Sequence, residues 1–334
     1  MKRSSRSSSF APFQLNLRVE WPTLALLVLC YGIWFAAGFW LYSFLPALAL
    51  VVMGIAVALH SSLQHEVLHG HPTRSAALNE AFVFLPIGLF YPYRSYRRIH
   101  LQHHFDERLT DPYDDPESYY VALLDWLHLP RPLQLLLRAN NTMLGRVLVG
   151  PLFGVLGFTR AEWKRIAQGD VRTRDAWLRH LMGLMPIALI LQFLFGIPFW
   201  LYAITSGYLG LALIAIRSYC EHQWSESPEG RTIIVERSIL APLFLYNNLH
   251  FVHHKRPGVP WYQLPETYLR ERADWIRLNG GYVYGSYLDI LRAHALRAKE
   301  PVAHPALRRN PQPIMPEGEA QAHDPLPSAL GENL

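Results

Sequence analysis

Residues 21–65 read WPTLALLVLCYGIWFAAGFWLYSFLPALALVVMGIAVALHSSLQH, 45 consecutive positions without a Lys, Arg, Asp or Glu, bounded by Glu20 and Glu66. A membrane crossing takes about 20 apolar residues, so the stretch is long enough for two, and Pro46 stands where a tight turn must fall. A second uncharged run, positions 181–216, extends for 36 residues around Gly196-Ile197-Pro198 and predicts a second, slightly shorter hairpin. Both turns are uncharged and the basic residues lie outside the hairpins. The positive-inside rule therefore places both termini and the long middle segment on the cytoplasmic side of a cell membrane. The expected fold class is all-α: a multi-pass membrane helical bundle of about four transmembrane helices with a cytoplasmic helical cap.

The rest of the composition agrees. Of 334 residues, 51% are hydrophobic and 13% aromatic, whereas 17% are charged, well under the quarter usual for a soluble domain. Disorder is excluded for the bulk of the chain. The net charge of +5 is carried almost entirely by arginine, with lysine only at Lys2, Lys164, Lys255 and Lys299. A basic membrane face accounts for it without nucleic acid. Cys30 and Cys220 sit apart in apolar runs, which excludes a disulfide framework, a zinc ribbon and an iron–sulfur cluster.

Three regions follow: a flexible cytoplasmic arm over 1–20, a membrane domain over 21–300, and a Pro-, Ala- and Glu-rich tail over 301–334 expected to be disordered. The MKRSSRSSS start lacks the short apolar run and cleavage site of a signal peptide. Residues 82–93 (FVFLPIGLFYPY) are too short to cross and are expected at headgroup level. Ala139 to Thr159, broken by Arg146, Gly150 and Pro151, reads as an interfacial element, and Thr267 to Lys299 as carrying an amphipathic helix around Leu288, Ile290 and Leu291.

Sixteen histidines are present, most of them in clusters beside the span ends. His65-Glu66-Val67-Leu68-His69 places two imidazoles four residues apart, about 40° apart on one helical face. His100-Leu101-Gln102-His103-His104 and His250-Phe251-Val252-His253-His254 repeat an i, i+3, i+4 pattern that holds three imidazoles within about 100° of arc. Two such triples arise by chance on the order of once in a thousand chains of this composition. Neutral imidazoles on rigid helical faces are ligands for iron, copper, zinc or nickel, so a metal site is the working conclusion.

These boxes, in this order around two apolar hairpins, resemble the membrane fatty acid desaturase and hydroxylase superfamily, whose members use a histidine-rich di-iron centre. The resemblance covers roughly Trp21 to Leu296. It implies a further histidine near the end of the fourth span, a place held by His222 in Arg217-Ser218-Tyr219-Cys220-Glu221-His222. The site set becomes His65, His69, His100, His103, His104, His222, His250, His253 and His254, nine imidazoles for two iron ions with four or five nitrogens each. The reaction so implied is O2-dependent desaturation of an acyl lipid. Hydroxylation or ketolation of a lipid, alkane or carotenoid is the alternative with the same ligands.

Several neighbours have two readings. Arg217 and Glu221 form an i, i+4 ion pair or contact a ligand imidazole. Asn247 and Asn248 shape a turn or orient a ligand. Asp106, Asp111, Asp114 and Asp115, in FDERLTDPYDDPE, cap turns or support the boxes. His60 points away from His65 and His69, and His71 lies past the Gly70 break. Phe82, Phe84 and Phe90 are expected to line an apolar approach for the acyl chain. The chain has no cofactor-binding fingerprint of its own, so electrons must come from an external ferredoxin or cytochrome with its reductase. Arg94, Arg97, Arg98, Lys164, Arg165, Arg172 and Arg174 offer a surface for such an acidic donor or for anionic headgroups. A competing reading makes HEVLH a zinc intramembrane protease with Glu66 as general base, which leaves six box histidines unexplained. A histidine-rich metal transporter is a further one, set aside because residues 21–59 and 181–216 offer it no ionisable ligands.

Overall fold

At Leu45 the backbone leaves the helical region (φ −137°, ψ 72°), and Pro46 then opens a new helix at a position where its missing N–H costs nothing. This break makes the first hairpin of the computed structural model, which describes residues 19–104 and 108–306. Helix α1 spans Trp21–Phe44 and α2 Pro46–Leu68. The second hairpin pairs α9, Val171–Leu194, with α10, Phe199–Ser218, across Gly196 in a left-handed conformation (φ 69°). All four are long and apolar enough to cross a membrane, as the sequence predicts. Between the hairpins lie α3 (Ala76–Phe82), α4 (Tyr93–His103), α5 (Leu123–His128), α6 (Arg131–Asn140), α7 (Met143–Leu148) and α8 (Gly150–Ala167). After them come β1 (Ile234–Arg237), α11 (His250–Lys255), α12 (Leu264–Arg270), α13 (Arg272–Leu278), β2 (Val283–Ser286) and α14 (Tyr287–His294). The two strands pair in parallel, Ile234 opposite Val283, and are a small departure from the all-α expectation.

Helix α2 is the centre of the bundle. Half of its apolar window is buried, against 22–33% for the other three spans, because it packs on α1 and on α10. Glycine permits the α2–α10 approach: a Cβ at Gly210 would lie 2.3 Å from Val57 Cγ1, and one at Gly54 2.7 Å from Leu209 Cδ2.

Residues 83–92, part of the 82–93 stretch expected at headgroup level, are packed into the bundle. Val83, Ile87 and Leu89 are buried in the same core as Leu27, Trp34 and Met53. The carbonyls of this irregular segment are met by side chains from the spans: Tyr31 donates to Leu85 O (3.1 Å), Tyr202 to Ile87 O (2.8 Å), and His180 Nε2 lies 2.7 Å from Leu89 O. Non-helical backbone inside a bundle requires such partners. Phe82 and Phe90 pack against this core, while Phe84 lines a small cavity beside Gln64.

The stretch Ala139–Thr159 is three helices rather than one, broken at Thr142, whose hydroxyl caps Gly145 N–H, and at Gly150-Pro151. Leu144, Leu148, Leu152 and Leu156 remain exposed, the apolar face of an interfacial element. Between Thr267 and Lys299 the amphipathic helix is α14, with Ile290 buried and Leu288 exposed. The expected tail boundary at 301 is early. Val302 and His304 are buried, with Val121 N–H donating to Val302 O and His304 N–H to Val121 O. Residues 1–18 and 307–334, the bulk of the expected arm and tail, and Asp106 lie outside the described residues.

Candidate metal centre

Four segments meet at one end of the spans. Helix α2 ends on His65 and His69, α4 carries His100 and His103 with His104 closing it, His222 follows α10, and α11 carries His250, His253 and His254. His222 is fixed by backbone pairing with Thr232, and its carbonyl accepts from Lys299 Nζ at 2.8 Å. The approach to α11 is set by Leu245 and Tyr246, both left-handed (φ 51° and 56°), and by Asn248, which donates to Val235 O at 2.7 Å while Val235 N–H donates back to Asn248 O.

All nine predicted histidines come together, in two groups whose donor atoms lie within 4.8 Å of one another: His65, His69, His100, His104 and His253 in one, His103, His222, His250 and His254 in the other. The HxxHH spacing explains the division. In α4 the i, i+4 pair, His100 and His104, faces the first group and His103 the second. In α11 the pair His250 and His254 faces the second group and His253 the first. Each box thus supplies two rings to one group and one to the other.

Within the groups, nitrogen meets nitrogen. His100 Nε2 and His104 Nε2 are 2.9 Å apart; His222 Nε2 lies 2.8 Å from His103 Nε2 and 3.1 Å from His250 Nε2, which is 3.2 Å from His254 Nε2. Two nitrogens about 2.1 Å from a shared ion and at right angles to each other lie about 3.0 Å apart. Nε2 of His65, His69 and His253 is buried and has no hydrogen-bond partner. Buried polar atoms are normally paired, so this donor set fits two metal ions, one per group.

Outer contacts fix the ring orientations. Asp115 Oδ1 holds His103 Nδ1 at 2.8 Å, Glu117 Oε1 holds His100 Nδ1 at 3.1 Å, and Asn247 Oδ1 holds His250 Nδ1 at 2.9 Å, which leaves each Nε2 aimed at its group. Burial, reinforced by neighbouring imidazoles, brings His69 down to about 2 and pushes His104, His222, His250, His253 and His254 far below the ordinary histidine value. These rings are uncharged at neutral pH, the form in which imidazole coordinates. His103 differs. Burial lowers it, but Asp115, then Glu117 and Glu221, outweigh burial and raise it to about 9, so a cation at Nε2 would take the place of that proton.

The ambiguous residues now separate. Asp115 does both jobs, since its carboxylate also accepts from Thr110 and Glu117 N–H while holding His103. Asp111 caps the turn at Tyr113 and Asp114. Arg217 pairs with Glu221 at 2.7 Å, and Glu221 in turn accepts from Asn247 Nδ2 at 3.5 Å and lies 3.9 Å from His250 Nδ1, so the pair is both a helix-end ion pair and a contact to the site. His60 is bound to the Tyr31 hydroxyl at 2.9 Å and belongs to neither group. His71 is bound by Glu20 at 2.7 Å, and Glu66 faces His71 and accepts from Trp261 N–H at 2.9 Å, away from the two histidine groups. Glu117, Thr232 and Lys299 are contacts that sequence reasoning missed. Glu117 could have been found as the last residue of the acidic turn, whereas nothing in the sequence ties Lys299 to His222.

A model of the fatty acid desaturase family matches residues 42–286. No curated protein matches the chain. The matched stretch takes in α2, α9, α10 and every histidine of the two groups, and so this chain belongs to the fatty acid desaturase family.

Proposed function

We propose that the protein is a membrane-bound, O2-dependent di-iron desaturase that introduces a double bond into the acyl chain of a lipid. His65, His69, His100, His104 and His253 would hold one iron and His103, His222, His250 and His254 the other. The observation that carries this reading is the division of nine histidines, six of them buried and three half-buried, into groups of five and four, with three of the rings locked from behind by Asp115, Glu117 and Asn247. Two bound irons would supply the reduction of dioxygen to an oxidant able to take hydrogen from an unactivated C–H bond. The surrounding chain keeps His69, His104, His222, His250, His253 and His254 neutral and fixes the direction of His100, His103 and His250.

Removing two hydrogens from the chain while O2 becomes two waters requires two electrons and two protons from outside, from a ferredoxin or cytochrome with its reductase. The positive-inside pattern puts the termini and the site on the cytoplasmic face, where such a donor is found. Hydroxylation draws the same two electrons and two protons, so products decide between them. The zinc-protease reading is disfavoured because Glu66, its general base, faces His71 and Trp261 instead of the histidines.

Iron analysis of purified protein and lipid profiling of a host with and without the gene test the proposal. Two irons per chain and new unsaturated acyl chains are expected, both lost in His103→Ala while the protein still inserts. Oxygenated products would favour the hydroxylase. One zinc without iron, or wild-type turnover with undiminished iron in His103→Ala, would overturn the assignment.

A further inference from the structure

A cavity of about 680 Å³ opens where α2 ends and α4 and α9 begin, beside the first histidine box. Arg74, Arg94, Arg97, Arg98 and Arg172 line it. They are not equivalent. Arg94 is fixed by Glu80 and Asp175, each at 2.7 Å, and Arg98 by Glu162 at 2.8 Å and Asp170 at 3.6 Å. Arg74 and Arg97 are exposed and have no carboxylate partner among the described residues. Two guanidinium groups are therefore left over in a concave site whose carboxylates, Glu80 and Asp175, are taken up by Arg94 and whose wall includes apolar Val67, Leu68 and Ala176.

The position matters as much as the charge. The mouth lies at the ends of spans, the depth at which lipid headgroups sit. Arg97 precedes His100 by one helical turn. A smaller cavity of about 20 Å³ shares Glu80, Tyr93, Arg94 and Ala176 with the first and reaches Gln64, the residue before His65. The larger cavity thus joins an arginine-lined mouth to apolar Val67 and Leu68, at the end of α2 that carries His65 and His69. Guanidinium binds phosphate through paired N–H donors, and an apolar wall beside it suits the start of an acyl chain.

We propose that this cavity is the headgroup subsite, in which Arg74 and Arg97 bind the phosphate of a phosphate-bearing acyl lipid whose chain is the substrate. Its role as a substrate site rests on the desaturase reading, whereas the binding itself does not. Three of the seven basic residues read from the sequence as a surface for an acidic redox protein or anionic headgroups thereby receive separate roles. Arg94 and Arg98 are structural, and Arg97 serves the lipid.

The test uses the full chain in neutral detergent and measures binding of dioleoylphosphatidylglycerol, dioleoylglycerol and inorganic phosphate by native mass spectrometry. Wild-type protein should bind the phospholipid at least tenfold more tightly than dioleoylglycerol. Arg74→Gln/Arg97→Gln should abolish that preference with iron content unchanged, and Arg270→Gln/Arg277→Gln, on α12 and α13, should keep it. A double variant that retains the preference overturns the proposal. So does inorganic phosphate binding as tightly as the phospholipid, which would make the cavity a site for the free anion. Phospholipid binding that follows the arginines in a host gaining no new double bonds would sink the desaturase reading and leave the subsite standing. Double bonds made equally well by the double variant would do the reverse.

Discussion

At the level of single residues, the site depends on carboxylates as much as on imidazoles. Asp115 holds His103 from behind and also caps its own turn, so Asp115→Asn removes the charge that strengthens His103 as a ligand and, because an amide nitrogen cannot accept a hydrogen bond, one of the two oxygens that receive Thr110 and Glu117 N–H. Losses of this kind weaken metal affinity or activity by about 10- to 100-fold. We expect Asp115→Asn to lose iron first from the His103, His222, His250 and His254 group, seen as a fall from two irons toward one per chain with the other group still loaded. Equal loss from both groups would refute that independence. Eight of the nine histidines were legible because box spacing maps directly onto a helical face, and His222 through the family resemblance; helical geometry set His60 aside, whereas the direction of His71, past the Gly70 break, could not be read from the sequence. Lys299 and Thr232 were not, since their contacts with His222 are made by tertiary folding across stretches of sequence with no periodic signal.

For the elements, the crossing of α2 and α10 fixes His65 relative to His222, and it depends on Gly210 meeting Val57. Gly210→Ala puts a Cβ 2.3 Å from Val57 Cγ1, and overpacking of this kind costs about 1–3 kcal/mol. The variant should melt at lower temperature in detergent, and its turnover should fall. Gly32→Ala on α1, where nothing lies within 4 Å of the added carbon, should melt no lower than wild type. The four spans were readable from uncharged length alone. The inward course of residues 83–92 was not, because its hydrogen-bond partners Tyr31, His180 and Tyr202 stand 54 to 115 positions away in sequence. The interruptions of Ala139–Thr159, by contrast, were visible in Gly150 and Pro151.

Across the whole molecule, the histidine centre makes stability depend on both metal and pH. In metal-free protein His69, His104, His222, His250, His253 and His254 stay uncharged in the fold, but each takes up a proton near pH 6.5 once the chain unfolds. Below that pH the unfolded state binds more protons, so stability falls as the solution is acidified. His103, raised to about 9, works in the opposite direction with one proton against six. Chelator-treated protein should therefore show a melting temperature that drops from pH 7 to pH 5 more steeply than that of the loaded enzyme. A flat profile would mean the rings are wet.

Because α4 and α11 each contribute to both groups of nitrogens, neither group can be dismantled by displacing one of these helices without opening the other. Loosening either helix therefore exposes the nitrogens of both groups at once, whereas a change behind a single ring, such as Asp115→Asn, acts on one group alone.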